Sequence, residues 1–377
     1  MTTTKHLLKI QLVAVALFIA STFLVSCQGS SSDKPIYMAF DDVEFVTEFP
    51  QTFTLDHKII PEIDVIGIRN FFIYDSIMVL GTTNPNAIWS FFSLPDYQPL
   101  GSFLTRGEGP LEFMQGPTTS GNSKIMREKG QLVAYLYDFQ KGNLKKFDID
   151  QSITSNELQL TQLEVTLPAF LPNFIMVDNS TFFIKEIGKR DTQQLRYVYE
   201  ADEKKSLPVL DKLNQAAIME GEDFNILATN TKYNDIRKRF VEAPTDLNYI
   251  NIYSLDSTIA KTICIGEKLA DISMIQKEWP KWNRKYVFVN IQAFNDFFGV
   301  IYVNESNKNY QTKRKQLPTI MLFDWEGTPL AELKMENHFT HFDIDFLNHE
   351  LYTFDVHSDE FFKFDVGDIL STLKSNN

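Results

Sequence analysis

The feature that most constrains the fold is a short pattern that occurs six times: an aromatic residue, any residue and an apolar residue, with an acidic residue close behind. The six copies begin at Phe92, Phe147, Tyr199, Tyr253, Phe323 and Phe364. The alternation is typical of a strand with one buried face, and the acidic residue is typical of the turn that ends it. The copies recur roughly every 40 to 70 residues, and repeats of about that length with strand content indicate propeller blades. The sequence therefore predicts an all-β fold, a six-bladed β-propeller.

The even repeat predicts one domain over residues 37–370, although a chain of 377 residues could hold two or three. The last blade has too little chain after Asp365 for a fourth strand, whereas residues 43–60 contain β-like runs that no blade uses. We expect this N-terminal segment to supply the missing strand and close the ring, which removes exposed sheet edges. Residues 371–377 are mostly polar and are predicted to form a frayed tail.

The N-terminus has the features of an export signal, because Lys5 and Lys9 precede an apolar run over residues 12–25. That run is shorter than the stretch of about 20 residues that a membrane-spanning helix needs. It ends in Leu-Val-Ser-Cys, which resembles the lipobox of bacterial lipoproteins. The resemblance implies that residues 1–26 are a signal peptide and that Cys27 carries lipid. An ordinary signal peptide with a chance cysteine is the alternative.

Acylation of Cys27 would provide several lipid chains, which bind a membrane far more firmly than the marginal binding of one chain. Residues 27–36 are polar and serine-rich, and we expect them to form a flexible tether between the lipid and the domain. The membrane partner is then reached through the lipid anchor. The expected location is the cell envelope, on the outer membrane of a Gram-negative bacterium.

The charge and the cysteine content exclude several classes of protein. The net charge is −13, whereas nucleic-acid-binding proteins need a basic surface, so no nucleic-acid partner is expected. The same charge argues against electrostatic docking on anionic lipid. Cys27 and Cys264 are the two cysteines of the sequence. With Cys27 lipidated no structural disulfide is expected, and Cys264 is predicted to be a small buried apolar residue.

One insertion into the repeat, residues 267–286, contains the pattern that most suggests binding. Its candidate binding residues are Trp279, Trp282, Arg284, Lys285 and Tyr286. Aromatic side chains interleaved with cations suit the recognition of glycans, peptides or a protein of the cell envelope. The alternative is that both tryptophans fill a hole between the fourth and fifth blades. A second insertion, residues 304–316, carries a basic loop that we interpret as a solvated turn.

Two further groups of residues could suggest chemistry, and both favour a structural interpretation. Gly107 and Gly109 precede Pro110 in a β context, so they do not form the strand–turn–helix fingerprint that binds dinucleotides. We expect an inter-blade turn in which the glycines adopt unusual backbone angles. Four histidines lie near the C-terminus, at positions 338, 341, 349 and 357, but His338 and His341 would face opposite sides of one strand. We therefore predict no metal site and no cofactor.

The segment around these glycines also carries a resemblance to a known family. Residues 106–113, Arg-Gly-Glu-Gly-Pro-Leu-Glu-Phe, resemble the Gly-x-Gly-Pro-x-Glu-Phe turn of TolB-like six-bladed propeller lipoproteins. The fifth and sixth blades look similar too, at residues 322–329, 342–345 and 350–352. The resemblance implies the fold and export from the cytoplasm. It brings no catalytic residues, because the family is largely uncharacterised.

The most favoured function is a non-enzymatic binding or interaction module at the cell envelope, and we predict no catalytic residue. The alternative is a propeller hydrolase, lactonase-like, with a divalent metal in the central channel. That activity needs several carboxylate or amide side chains converging from the inner strands, and Asn173, Asn225 and Asp345 are the candidates. A third possibility is a structural subunit of an envelope complex.

Overall fold

The computed structural model of the chain describes residues 34–60, 63–118, 121–278 and 280–375. The chain divides into two units, residues 1–36 and residues 37–377, and the fold described below is that of the second unit. Three strands precede the first blade. They are β1 (Asp42–Val46), β2 (Thr52–Leu55) and β3 (Lys58–Ile59).

Six antiparallel sheets follow one another along the chain, and each is one blade with its strands in sequence order. Blade 1 contains β4 (Ile68–Tyr74), β5 (Ile77–Thr82), β6 (Trp89–Ser93) and β7 (Pro99–Phe103). Blade 2 contains β8 (Ser123–Glu128), β9 (Gln131–Asp138), β10 (Asn143–Asp148) and β11 (Leu160–Thr166). Blade 3 contains β12 (Asn173–Met176), β13 (Thr181–Ile187), β14 (Gln194–Glu200) and β15 (Glu203–Lys205).

The second half of the ring is built in the same way. Blade 4 contains β16 (Thr229–Asn234), β17 (Arg239–Pro244), β18 (Tyr249–Tyr253) and β19 (Ala260–Ile265). Blade 5 contains β20 (Lys285–Ala293), β21 (Phe297–Ser306), β22 (Thr319–Asp324) and β23 (Pro329–Met335). Blade 6 contains β24 (His341–Asp345), β25 (Glu350–Asp355) and β26 (Glu360–Asp365). The six-bladed propeller predicted from the sequence is confirmed.

The repeated aromatic residue marks the third strand of every blade. Three of these residues are fully buried: Phe147 on β10, Tyr253 on β18 and Phe323 on β22. The residues next to them in the sequence point to the opposite face of the sheet, as in any strand. Much of the core lies between blades rather than within one. Between blades 1 and 2, for example, Trp89 of β6 packs 6.3 Å from Phe147 of β10, measured between ring centroids.

The three N-terminal strands form a strap along the outside of blades 4, 5 and 6. β1 pairs in parallel with β19, and β2 pairs in parallel with β23, so that blades 4 and 5 have five strands each. β3 pairs antiparallel with β26 and supplies the fourth strand of blade 6. The prediction that the N-terminal segment closes the ring is confirmed, and the same segment also covers the outer edges of two other blades.

Five α-helices occur in the described part of the chain. They are α1 (Ile149–Ser155), α2 (Pro208–Asn214), α3 (Ile272–Ile275), α4 (Asn307–Thr312) and α5 (Gly367–Ser375). Single 3₁₀ turns lie at Lys189–Asp191, Phe224–Leu227 and Lys281–Asn283. None of the helices in these ranges has the length and hydrophobicity needed to cross a membrane.

Helix α5 corrects the prediction of a frayed tail from residue 371. The helix continues to Ser375, and it buries Ile369, Leu370 and Leu373 in the core of blades 5 and 6. These three apolar residues have the spacing of one helix face, and their burial fixes the segment although its other residues are polar.

Candidate binding site

The insertion between β19 and β20 is fixed to blade 4 by one asparagine. The Nδ2 group of Asn248 donates to the carbonyl oxygens of Ile265 and Lys268, at 2.9 Å each. The backbone N–H of Ala270 donates to Oδ1 of Asn248 at 2.8 Å. The bonds to Lys268 and Ala270 hold the start of the insertion in place, and the bond to Ile265 holds the end of β19.

Arg284, one of the candidate binding residues, lies inside the domain. Its side chain pairs with Glu222 at 3.3 Å and with Asp223 at 3.4 Å, and the residue is 2% exposed. It also donates to the carbonyl oxygen of Gln276. These contacts tie the insertion to the loop that follows α2, so this guanidinium is engaged in holding the fold.

Tyr286 lies at the start of β20 and joins the two insertions. Its ring packs against that of Tyr310 in α4, with 4.8 Å between the ring centroids. Tyr310 in turn lies 5.9 Å from the guanidinium group of Arg314, which pairs with Asp355 of blade 6. The loop interpreted as a solvated basic turn is thus attached to the ring through Arg314, while Lys308 and the other lysines of this loop are exposed.

The remaining candidates lie at the surface or outside the described residues. The side chain of Trp282 is 55% exposed, so it does not fill a closed hole between the blades. Lys285 is exposed at the first position of β20. Trp279 lies outside the described residues. Trp282 and Lys285, three positions apart in the sequence, therefore present an indole and an ammonium group to the solvent.

Lys285, together with Asn283, lines a cleft of about 670 Å³, which we call the insertion cleft. Its polar lining residues are Thr47, Asp246, Asn248, Glu278, Asn283, Lys285, Tyr302 and Asn304. Its apolar lining residues include Val46, Ile265, Ile275 and Val287. The cleft thus combines an apolar floor with many hydrogen-bonding groups, which is the composition of a site for a polar ligand.

Several residues of this cleft were not predicted from the sequence. Asp246 and Asn248 lie in the turn between β17 and β18, and Asn304 belongs to the far end of β21. Burial raises the pKa of Asp246 to about 6. The sequence signal for this turn was its polar residues between the two largely buried strands β17 and β18. That signal does not show which insertion the turn faces.

The Gly-x-Gly-Pro-x-Glu-Phe turn lies between blades 1 and 2 and is structural, as predicted. The carboxylate of Glu112 accepts a hydrogen bond from the N–H of Gly109 at 2.9 Å, and Lys141 and Lys145 donate to the carbonyl oxygen of Glu112. The reason for the first glycine differs from the one expected. Gly107 does not have a positive φ, and a Cβ there would lie 2.0 Å from Oε2 of Glu112, so any side chain at this position would displace the Glu112 carboxylate.

The inner strands around the central channel carry ionisable groups that are buried or half-buried. Asp343 on β24 accepts hydrogen bonds from the N–H groups of Ile73 and Ile344, both at 2.8 Å, and so joins blade 6 to blade 1. Burial raises the pKa of Asp343 to about 7. Burial also lowers the pKa of Lys232 on β16 to about 8 and that of His341 on β24 to about 4.

The residues considered for a metal in the channel do not converge. Asn173 begins β12, and Asp345 accepts hydrogen bonds from the N–H groups that follow it in the β24–β25 turn. Asn225 lies in a 3₁₀ turn before β16 and not on an inner strand, which corrects the sequence interpretation. In the described ranges no group of three or more His, Cys, Asp or Glu side chains is arranged to hold a metal ion.

The ring of six blades, the strap and the family turn define the class of protein as a closed six-bladed propeller. The chain belongs to the TolB-like 6-blade propeller-like family, whose family model matches residues 70–346. A solved structure described as a member of the duf4221 family from Bacteroides vulgatus ATCC 8482 is similar, with a TM-score of 0.49 and 11% sequence identity. The match covers 85% of this chain and 96% of that chain. No curated protein matches the sequence.

Proposed function

We propose that the protein is a lipid-anchored binding protein of the cell envelope, which acts by recognition and not by catalysis. The ligand is held in the insertion cleft. The observation that carries this proposal is the cleft itself, about 670 Å³, with Asn283 and Lys285 of the insertion in its wall. The exposed Trp282 directly precedes Asn283 in the sequence.

The chemistry of the cleft favours a glycan as ligand. A flat indole offers an apolar face to the ring of a sugar, and the amide and carboxylate groups of Asn283, Asn304 and Asp246 match sugar hydroxyls. Clefts of roughly 300–1,000 Å³ accommodate small ligands or short segments of a chain. A peptide would use the same groups through its backbone amides, and binding of peptide instead of glycan is an outcome of the test.

The proposed location rests on the N-terminal sequence. The basic start, the short apolar run and the Leu-Val-Ser-Cys end support export, with residues 1–26 removed and lipid on Cys27. Cys27 lies outside the described residues. Membership in the TolB-like family is consistent with an envelope location. The final position on the outer membrane of a Gram-negative bacterium is part of the proposal.

Binding is tested with Trp282→Ala in the mature domain, against soluble fragments of cell-wall glycan and, in parallel, against unmodified peptides. Truncation of a central contact residue costs roughly 2 kcal/mol or more, so we expect affinity to fall by at least about tenfold. Met274→Ala is the matched control, because it truncates another exposed apolar side chain, 61% exposed, on the same insertion.

Thermal melting of each variant separates binding from folding. The proposal holds if Trp282→Ala loses the ligand and melts as the wild type does, while Met274→Ala keeps the ligand. A large fall in the melting temperature with ligand binding retained would show that Trp282 is a packing residue and would refute the proposal.

The anchor is tested separately with Cys27→Ser in the full chain. We expect this variant to leave the membrane fraction, since serine cannot form the thioether that carries the lipid. Membrane association that persists in Cys27→Ser, together with a lipid-free wild type by mass spectrometry, would contradict lipidation. Binding in the insertion cleft does not depend on this result.

A further inference from the structure

A second cleft of about 500 Å³ lies at one mouth of the central channel, between blades 1, 5 and 6. The end of β4, the β20–β21 turn and the β24–β25 turn form its walls, and α5 contributes Leu370 and Leu373. We call it the mouth cleft. It shares no lining residue with the insertion cleft, so the two are independent sites.

Five aromatic side chains line the mouth cleft. The ring of Phe346 lies 5.3 Å from that of Phe294 and 6.2 Å from that of Phe297, measured between centroids. On the opposite side Phe72 lies 6.3 Å from Tyr74. Phe346 remains 42% exposed although other aromatic rings surround it. An exposed apolar wall of this kind marks a surface that a ligand covers.

Three aspartate side chains line the mouth cleft. They are Asp75, Asp296 and Asp343, and no Lys, Arg or His occurs among the described residues that line it. Arg127 contacts Asp75 through Oδ2, and Arg237 contacts Asp296 through Oδ1. Each of these two rim carboxylates keeps a second oxygen as an acceptor, and both ion pairs are exposed and therefore weak.

We infer that the mouth cleft binds an organic cation, an ammonium or guanidinium group carried on an apolar chain. The faces of aromatic rings attract cations, and the rim carboxylates add a second attraction of the same sign. The acidic domain also raises the local concentration of cations. The apolar chain of the ligand lies against Phe294, Phe297 and Phe346. A ligand with the same apolar chain but a carboxylate in place of the cation is repelled by the rim carboxylates.

The inference is tested with three probes of one shape: 4-phenylbutylammonium, the neutral 4-phenylbutanol and the anion 4-phenylbutyrate. Affinities for the folded domain are measured by calorimetry, with ligand-observed NMR for weak binding. We expect the ammonium probe to bind at least tenfold more tightly than the alcohol and the anion to bind weakest. Added salt should weaken the ammonium probe and leave the alcohol unchanged.

Variants then locate the binding. Asp75→Asn combined with Asp296→Asn should lower the affinity for the ammonium probe to that for the alcohol. Phe346→Ala should weaken all three probes by a similar factor. Phe45→Ala is the control, because Phe45 is 50% exposed on β1 of the strap and lies outside the cleft. Asp343 is left intact, since it joins two blades.

The outcomes decide both the site and its occupant. Equal affinity for the three probes, preference for the anion, or affinity unaffected by the aspartate variants would overturn the inference. If the double variant does not fold, the single variant Asp296→Asn and the salt dependence of the wild type are used instead. An affinity for the ammonium probe that neither of them changes would overturn the inference. Lysine-containing peptides and free amines are compared in a further titration, which distinguishes a peptide side chain from a small molecule as the source of the cation.

Discussion

Three ionised side chains buried between blades 3 and 4 give the sharpest test of how this ring is held together. Glu242 on β17 receives hydrogen bonds from Arg196 of β14 at 2.9 Å and from Tyr253 of β18 at 2.9 Å. The ammonium group of Lys185 on β13 lies 3.2 Å from the same carboxylate. All three charged side chains are fully buried. The group therefore has two cations for one anion, and Lys185 is the excess charge.

The pKa values follow from this arrangement. Burial, together with the nearby charge of Arg196, lowers the pKa of Lys185 to about 7, although Glu242 opposes the change. Burial alone would raise the pKa of Glu242, but Arg196 and Lys185 hold it well below its ordinary value. Since one pKa unit corresponds to about 1.4 kcal/mol, the charged form of Lys185 opposes folding by up to about 5 kcal/mol below pH 7.

Two substitutions in this group should have opposite effects. Glu242→Gln leaves two buried cations without their counter-charge and should lower the free energy of unfolding by about 3–5 kcal/mol. Lys185→Met leaves the Arg196–Glu242 pair intact. It removes hydrogen bonds to the hydroxyls of Thr229 and Thr231, which are worth about 1 kcal/mol each and offset part of the gain. We expect Lys185→Met to stabilise the domain by about 1–3 kcal/mol at pH 6.5.

The gain should depend on pH in a defined direction. Because the pKa of Lys185 is lowered in the folded state, the unfolded chain binds the additional proton between about pH 7 and pH 10.5. The stability of the wild type therefore rises with pH across that window, and the advantage of Lys185→Met shrinks. Urea unfolding followed by circular dichroism at pH 6.5, 7.5, 8.5 and 9.5 measures both effects.

The reasoning fails if Lys185→Met destabilises the domain as much as Glu242→Gln does. It also fails if Glu242→Gln is tolerated, or if the difference between Lys185→Met and the wild type is the same at all four pH values. Glu220→Gln is the matched control, because that carboxylate and its partner Arg190 are both exposed, and an exposed ion pair is worth little.

Two further predictions concern the strap and the family turn. Phe40→Ala should lower the free energy of unfolding by about 3–5 kcal/mol in a urea titration, because this side chain, two residues before β1 of the strap, is buried. Phe45→Ala at an exposed strap position should cost less than about 1 kcal/mol. Glu112→Ala removes the hydrogen bond from Gly109 and should lower the free energy of unfolding by about 1–2 kcal/mol. Gly107→Ala should lower it less in the Glu112→Ala background than in the wild type, because the clashing carboxylate is then absent. Additive costs at positions 107 and 112 would contradict the contact between them.

The parts of the fold that were predictable are those with a local signature. The aromatic residue before each turn identified one strand of every blade, because a half-buried strand imposes its period on the sequence. The structure shows that this strand is the third of its blade. Tyr199 and Phe364, the least similar copies, lie at the same position in their blades as Phe147 does. Closure by the N-terminal segment was predictable too, since the last blade visibly lacks a strand.

The course of the strap was not predictable beyond that closure. The pairing of β1 with β19 joins Phe45 to Cys264, and that of β2 with β23 joins Phe53 to Leu333, through backbone hydrogen bonds. Backbone pairing of this kind affects the sequence only through strand propensity, so the sequence does not show which strands pair. The partners are also more than 200 residues apart. Cys264 is buried on β19 as expected.

The same limit applies to the candidate site. Arg284 was interpreted as a surface cation because its neighbours in sequence are basic and aromatic. Its acidic partners, Glu222 and Asp223, come from another loop more than 60 residues away. An ion pair of that kind is formed by the tertiary fold. Local sequence therefore predicts that an insertion exists, but not which of its charges are used to attach it.

The strap makes the ring dependent on the segment that leads to the proposed anchor. Met38 donates its N–H to the hydroxyl of Tyr249, and its sulfur accepts a hydrogen bond from Arg196 of the buried charge group. The carbonyl oxygen of Met38 accepts from Asn251. The residues just after position 36 are thus bonded to the interface of blades 3 and 4 before the strap continues to blades 5 and 6. Because the same segment supplies the closing strand β3, this segment cannot leave the domain without opening the last blade.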